Sequence, residues 1–180
     1  MNLLEYNGSI KVDGIEISRI PRHILRSRLT VNAQDTLILP GTIRQNLMPW
    51  LLKSPLARQA DRETLTKVLV RAYLAAPIML AGGLDQPMAR LILSVGERQL
   101  FSLARSVLTG LHRNSNIVLL DEATSNMDLE TDDKMHAVIE EAFHQHTILM
   151  VAHRVETLDD ADIVYRLQNG QITEVSTGDN

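Results

Sequence analysis

Cysteine is missing from this chain of 180 residues, and its absence excludes disulfide bonds, thiolate metal sites and thiol redox switches. We interpret the absence as favouring a reducing compartment. Long apolar runs are missing as well, because the best candidate, residues 73–84, falls short of the ~18 residues of a membrane span. Residues 1–9 lack the basic start and apolar core of a signal peptide. We therefore expect that the chain does not itself cross a membrane.

An excess of positive charge is also absent, since 18 lysine and arginine residues face 22 aspartate and glutamate residues, for a net charge of −4. This balance does not favour a polyanionic partner. One local cluster of arginines fits either a solvated surface or a nucleic-acid patch: Arg19, Arg22, Arg26 and Arg28. We favour the solvated surface, and we expect no nucleic-acid partner.

The hydrophobic pattern predicts an α/β domain with a mainly parallel sheet. Residues 117–120 and 147–151 are almost wholly apolar, which is typical of strands buried on both faces. Apolar residues at helical spacing predict helices over 61–74, from 94 to 111, and around 135–143. Asp13-Gly14 and Asn169-Gly170 predict two hairpins. We expect the first hairpin and the helical stretch 42–81 to be appended subdomains.

The stretch LSVGERQ, residues 93–99, opens the helix that follows it and allows two interpretations. Ser94 and Glu97 have the spacing of a capping box, in which the two side chains satisfy unpaired N–H groups at a helix start. That interpretation leaves Gly96 unexplained, because glycine in a first helical turn costs up to ~1 kcal/mol relative to alanine. A helix N-terminus with exposed N–H groups is also an anion site, so Gly96 favours a phosphate contact.

Polar side chains follow the predicted strands. Asp121 and Glu122 come directly after residues 117–120, where an aspartate can hold Mg²⁺ and a neighbouring base can orient water. The same pair could instead cap a helix. His153 follows the next strand, and Gln34 follows an earlier short one. Either residue taken alone is equally consistent with a structural role.

The order of these residues resembles the nucleotide-binding domain of ATP-binding cassette (ABC) transporters. Gln34 is similar to the Q-loop glutamine, residues 94–99 resemble the signature motif, and Asp121-Glu122 resemble the end of the Walker B motif. Residues 125–128 resemble the D-loop, and His153 is similar to the switch histidine. Five motifs in the correct order are highly specific, and the resemblance covers nearly the whole chain.

Two further stretches resemble the multidrug-resistance (C) subfamily of exporters, especially its second cassette: LPGTIRQNL and DLETDD. The resemblance implies a P-loop NTPase-like ABC ATPase domain, N-terminally truncated, with a mainly parallel sheet, an antiparallel β-hairpin subdomain and an α-helical signature subdomain. It divides the single partial domain 1–180 into a hairpin and Q-loop region (1–41), a helical subdomain with the signature helix (42–110), and a Walker B, D-loop and switch-histidine region (111–180).

The resemblance also implies roles for individual residues. Two cassettes would pack head to tail around ATP and Mg²⁺, with the signature of each facing the nucleotide of the other. Within that site the implied catalytic residues are Glu122 and His153, and the implied metal ligands are Asp121 and Gln34. The implied nucleotide-binding residues are Gln34, Ser94, Val95, Gly96, Glu97 and Asp128, of which Asp128 would also couple the two sites. Residues 42–81 would meet the transmembrane domains of an exporter at the cytoplasmic face of a membrane.

The sequence departs from the family in one major respect, because no glycine is followed by lysine and the phosphate loop G-x-x-x-x-G-K-[ST] is absent. Losing about three charge-assisted hydrogen bonds removes roughly 5–9 kcal/mol. That is as large as the ~4–8 kcal/mol of a millimolar to micromolar affinity. We therefore expect no ATP binding or turnover by residues 1–180 alone. Val95, Glu97 and Arg90 also differ from common family residues.

Two functions stay open at this point. The chain is either a piece of an exporter's ATPase cassette or a stand-alone, non-catalytic partner that lends its signature face to another cassette. A DNA-repair or chromosome-structure ATPase shares these motifs, but it would need long coiled coils that this chain lacks. We further expect the strand at 117–120 to lose a neighbour with the missing phosphate-loop strand, and the isolated chain to be poorly soluble or oligomeric as a result.

Overall fold

The structure is a computed structural model, and it describes residues 8–33, 36–50, 62–121, 128–152, 158 and 160–178. These ranges contain seven strands and six α-helices. The strands are β1 (Lys11–Val12), β2 (Ile15–Glu16), β3 (Leu29–Asn32), β4 (Ile117–Asp121), β5 (Thr147–Val151), β6 (Ile163–Gln168) and β7 (Gln171–Thr177). The helices are α1 (Arg22–Ser27), α2 (Ile43–Leu47), α3 (Arg62–Arg71), α4 (Ala75–Leu80), α5 (Val95–Arg113) and α6 (Leu129–Phe143). The predicted α/β class is confirmed.

A parallel sheet of three strands, in the order β3-β4-β5, forms the centre of the described fold. Leu120 of β4 lies opposite Asn32 on one side and opposite Met150 on the other, so both edges of β4 are paired. The expectation that residues 117–120 lose a neighbour is therefore wrong. Within the described ranges, the outer edges of β3 and β5 are the ones that no strand pairs.

The two faces of this sheet differ. Val118 and Leu120 are fully buried in the main core, whereas Leu149 is 59% exposed and Val151 is 55% exposed on the opposite face. The prediction that β4 and β5 are buried on both faces is thus wrong for the described part of the chain. The reason is topological, because successive right-handed crossovers that proceed in one direction place both helices, here α5 and α6, on one face.

Helix α5 contributes more residues to the core than any other described element. Phe101, Leu103 and Ala104 have no exposed surface, and they pack with Met135 and Phe143 of α6 in one continuous cluster. The apolar period of the sequence predicts this face, with one error. Leu111, which continues the spacing, is 58% exposed because it lies in the last turn of the helix, beyond the edge of the core.

The helical stretch between β3 and α5 follows its local sequence signals. Thr42 caps α2 in a full capping box with Gln45. Helix α3 begins at Arg62 in the described chain and ends before Tyr73, which has a left-handed φ of 58°. The sequence analysis missed α4, which tolerates Pro77 because N–H groups in the first turn have no partner within the helix.

Two antiparallel hairpins lie outside the parallel sheet, at the two predicted turns. Asp13 and Gly14 have φ of 50° and 77°, and Asn169 and Gly170 have φ of 50° and 76°. Two successive left-handed residues make the turn that best matches the twist of a hairpin. No helix in the described ranges is both long and apolar enough to span a membrane.

Candidate nucleotide site

The predicted signature begins at the surface. Ser94 Oγ accepts the Glu97 N–H at 3.1 Å, and the Ser94 N–H donates to Glu97 Oε2 at 2.7 Å. The capping-box interpretation is therefore confirmed. Ser94 is exposed, and Val95 is 57% exposed. The 19-residue helix α5 thus presents its positive end, with a serine hydroxyl beside it, to the surface of the described chain.

Gly96 has a different environment, because it is buried against the first turn of α6. A Cβ atom at this position would lie 2.6 Å from Thr131 Cγ2 and 2.9 Å from Thr131 Oγ1. No side chain fits such a space unless the threonine moves. The structure thus gives Gly96 a packing role within the chain, which the sequence analysis did not foresee.

Asp128 caps α6 beside this contact. Its Oδ1 accepts the Thr131 N–H at 2.9 Å, and its Oδ2 accepts the Thr131 hydroxyl at 2.9 Å. These two hydrogen bonds, first the backbone N–H and then the hydroxyl, lower the pKa of the Asp128 carboxyl. The carboxylate is therefore held in its charged form at the start of a helix, where the helix dipole also favours it.

Asp121 is the last residue of β4, and it is exposed at the carboxyl edge of the parallel sheet. The other predicted residues of this edge, Gln34, Glu122 and His153, lie outside the described residues. They follow β3, β4 and β5 in sequence, and these strands are parallel neighbours that end at one edge. No group of three metal-ligating side chains occurs within the described ranges.

A clamp formed by Arg105 and Asn46 ties α5 to the chain that follows β3. Arg105 Nε donates to the Asn46 carbonyl and Nη1 donates to the Leu37 carbonyl, each at 2.6 Å. Asn46 Oδ1 in turn accepts the Leu39 N–H, and Asn46 Nδ2 donates to the Leu39 carbonyl, each at 2.8 Å. Burial lowers the pKa of the Arg105 guanidinium, which nevertheless keeps its charge in proteins.

Comparisons with known proteins identify the family of this chain. A sequence profile of the ABC transporter family matches residues 1–125. The chain is 42% identical over 168 residues to "ABC multidrug transporter B" of Aspergillus fumigatus, covering 93% of this chain and 11% of that protein. It is 38% identical over 172 residues to human "ATP-binding cassette sub-family C member 8", covering 94% of this chain and 10% of that protein. Human "ATP-binding cassette sub-family C member 2" is 38% identical over 170 residues, or 93% of this chain and 10% of that protein.

This chain belongs to the ABC transporter family. The family and the C-subfamily likeness inferred from the motifs are both confirmed. The chain spans about a tenth of the length of the relatives it matches.

The ABC transporter chain also contains an apolar groove of about 450 Å³ next to the clamp. One wall is formed by Ile38, Leu39 and Pro40, directly after the segment that Arg105 holds. The other wall comes from the turn before α5, with Met88, Leu91 and Leu93, and from Arg98 on α5 itself. The groove therefore lies between the segment that follows the predicted Q-loop and the segment that precedes the predicted signature.

Sequence reasoning missed the polar contacts behind the site of this ABC transporter chain. Asn32 Oδ1, at the end of β3, accepts hydrogen bonds from Ser102 Oγ at 2.9 Å and Ser106 Oγ at 3.1 Å. The available signal was a pair of serines four residues apart on an otherwise apolar helix face. Polar residues at core positions require buried partners, so this pair predicts a polar residue on the facing strand.

Proposed function

We propose that this chain is part of a nucleotide-binding cassette of an exporter, which couples ATP binding and hydrolysis to transport across a membrane. The proposal rests on the exposed start of α5, where the Ser94 hydroxyl and the positive end of a 19-residue helix are presented together. Such an end binds a phosphate, because the unpaired N–H groups and the helix dipole both attract negative charge. In this proposal the phosphate is the γ-phosphate of ATP bound to a second cassette, packed head to tail.

The described residues fit the parts of Mg-ATP that we assign to them. Ser94, Val95, Gly96 and Glu97 would form the signature contact, with Glu97 serving as a cap rather than as a phosphate ligand because its carboxylate is anionic. Asp121 offers an exposed hard oxygen ligand at a strand end, which suits Mg²⁺. Gln34 would be the second metal ligand and nucleotide contact. Glu122 would orient water, and His153 would contact the γ-phosphate.

Residues 1–180 contain no phosphate loop, so this function needs one from polypeptide outside these residues. ATP supplies the phosphoryl group and Mg²⁺ neutralises its charge. The chain's own contribution is to position groups around them. The exposed apolar side chains beside the signature, Val95 at 57% and Leu129 at 76% exposed, would be covered by the second cassette.

A transmembrane domain would dock in the apolar groove, whose lining residues, within 38–41 and 87–98, flank the stretch 42–81 that the sequence resemblance assigns to this contact. Ile38, Leu39 and Met88 offer an apolar surface, and Arg98 adds one positive charge at its wall. A short helix with an apolar face fits such a groove. In this proposal the cassette lies at the cytoplasmic face of a membrane, since relatives of the chain such as "ABC multidrug transporter B" are transporters by name.

The test compares Glu122→Gln with Glu140→Gln, an exposed carboxylate on α6, in the natural polypeptide that contains residues 1–180, reconstituted in lipid vesicles. We expect Glu122→Gln to abolish ATP hydrolysis and to retain ATP binding, because the carboxylate serves the water and not the phosphates. Glu140→Gln should behave as the parent. Hydrolysis that survives Glu122→Gln would remove Glu122 from the catalytic role. Binding of ATP only at a partner's phosphate loop would support the non-catalytic partner instead.

A further inference from the structure

The first turn of the signature helix α5 lies against the first turn of α6, which follows the predicted D-loop directly. Gly96 in the first turn of α5 is packed so closely against Thr131 in the first turn of α6 that a Cβ atom there would lie 2.6 Å from the threonine methyl carbon. Real Cβ contacts are essentially never below 3.0 Å. The two first turns are therefore in close contact, and a larger residue at position 96 would require one of them to shift.

Thr131 is itself held firmly by Asp128. Its hydroxyl donates to the two carboxylate oxygens at 3.1 Å and 2.9 Å, and its backbone N–H donates to Oδ1 at 2.9 Å. Threonine has few side-chain rotamers, so these bonds fix the direction of the methyl group that faces Gly96. A continuous chain of contacts thus runs from Ser94 through Gly96 and Thr131 to Asp128.

We propose that Thr131 is a positioning residue that seats the start of the signature helix against α6 and links Ser94 and Gly96 to Asp128. The part of this proposal that concerns nucleotide rests on the proposed function. A phosphate that draws the first turn of α5 towards it acts on Asp128 through the Gly96–Thr131 contact. Gly96 is then glycine because Thr131 occupies the space of its side chain, and not only because a phosphate approaches its backbone.

The two explanations for a glycine at position 96 predict different effects of a second substitution, at Thr131, on a Gly96 variant. If Thr131 fills the space, replacing Thr131 by alanine removes both of the atoms nearest to a new Cβ at Gly96, Cγ2 at 2.6 Å and Oγ1 at 2.9 Å. The atom that remains, Thr131 Cβ, would lie 3.2 Å away, a contact that a small shift relieves. If only the phosphate requires glycine, the threonine has no influence on a Gly96 variant.

The experiment is a double-mutant cycle of Gly96→Ala and Thr131→Ala in the natural polypeptide that contains residues 1–180. The first readout is urea unfolding without nucleotide, and the second is kcat and KM for ATP. Overpacking by one methyl group costs ~1–3 kcal/mol, so Gly96→Ala should lower the folding equilibrium constant by about 10- to 100-fold. Adding Thr131→Ala should restore both the stability and the kcat to within about 3-fold of the Thr131→Ala single variant.

Two controls make the cycle specific. Gly110→Ala alters another buried glycine of α5, whose Cβ would lie 3.1 Å from Thr30 Oγ1, so Thr131→Ala should not rescue it. Thr131→Ser keeps the hydroxyl that bonds Asp128 and removes the methyl group. It should leave kcat within about 2-fold of the parent and should partly rescue Gly96→Ala.

Additive effects of Gly96→Ala and Thr131→Ala on unfolding would overturn the contact. Rescue of stability without rescue of kcat would overturn the link to Asp128, and would leave Gly96 a phosphate contact. Because the unfolding cycle needs no nucleotide, it tests the contact even if the parent does not hydrolyse ATP. A parent that does not hydrolyse ATP would count against the proposed function and not against the Gly96–Thr131 contact.

Discussion

Replacing Arg105 by methionine tests the clamp between α5 and the segment after β3. Methionine keeps an unbranched stem of similar length over the Phe101 ring, which the guanidinium carbon approaches to 5.6 Å from the centroid. It removes both of the Arg105 donors described above, to the carbonyl groups of Asn46 and Leu37. The change therefore isolates the hydrogen bonds from the packing.

The magnitude follows from the surroundings of the two carbonyl groups. Asn46 has no exposed surface, so its bond to a charged donor contributes about 1.5–3 kcal/mol. Leu37 is 62% exposed, so water replaces the donor there and the loss is about 0.5–1 kcal/mol. The third nitrogen, Nη2, is buried without a hydrogen bond in the described structure, and methionine removes that cost. We expect Arg105→Met to lower the free energy of unfolding by about 2–3 kcal/mol.

Urea unfolding of the natural polypeptide measures this loss, with Arg105→Lys as the matched variant. Lysine keeps the charge but offers a single ammonium group without the guanidinium fork, so it should lose about half as much. Hydrogen exchange adds a local readout. The Leu39 N–H, which donates to Asn46 Oδ1, should exchange faster in Arg105→Met because the clamp holds Asn46.

The reasoning about Arg105 would fail in either of two cases. Arg105→Met within 0.5 kcal/mol of the parent, a difference typical of a neutral surface change, would mean that water replaces both bonds without loss. Unchanged exchange at Leu39 together with a lower stability would mean that Arg105 stabilises the helix and not the segment.

Three further predictions follow from named contacts. Thr42→Ala should lower the free energy of unfolding by about 1 kcal/mol in urea titrations, since it removes one half of the capping box at α2, and Thr42→Ser should restore it. Phe143→Ala should lower the free energy of unfolding in urea by about 3–5 kcal/mol, because the ring is 1% exposed and packs edge-on against His146 at 5.2 Å. A loss below about 1 kcal/mol would contradict the core position of Phe143. The pKa of Asp128 is lowered in the folded state, so its stabilisation is complete above the ordinary aspartate pKa of ~3.9 and is lost as the pH falls through the lowered value. Asp128→Asn keeps a capping residue without the titration, so the stability difference between parent and variant should be constant from about pH 5 upwards and shrink in more acidic buffer.

Local sequence signals predict the elements of this fold well, because their physics is local. Asp13-Gly14 can adopt two left-handed residues in succession, and Thr42 can cap the helix that follows it, whatever the rest of the molecule does. The apolar period of α6 likewise identifies Met135, Val138, Ile139 and Phe143 as core residues, and all four are buried. These predictions depend on neighbours within a few residues in sequence.

The misses about burial and strand pairing depend on residues far apart in sequence. The apolar strand β5 predicts burial on two faces, but only the direction of the crossovers determines which face the helices cover. The order of the strands, with β4 between β3 and β5, is likewise a property of topology and not of the β4 sequence.

The candidate site shows the same division. The Ser94–Glu97 capping box is readable because both partners lie within one turn. The packing of Gly96 on Thr131 spans 35 residues, and the Arg105 bond to Leu37 spans 68 residues. A glycine or an arginine in a helix does not reveal such a partner from the sequence alone. The roles of Gln34, Glu122 and His153 stay predictions that the Glu122→Gln comparison addresses first.

Helix α5 contacts β3, α2, α3 and α6. A substitution on any of its packed faces therefore alters the contact with a different neighbour, and few positions along it should tolerate substitution. Substitutions in this helix should consequently lower the amount of folded protein and, if the proposed function holds, also change the response to nucleotide, and a single measurement of activity would not distinguish the two effects. Separating the two requires the amount of folded protein to be measured beside the activity of each variant.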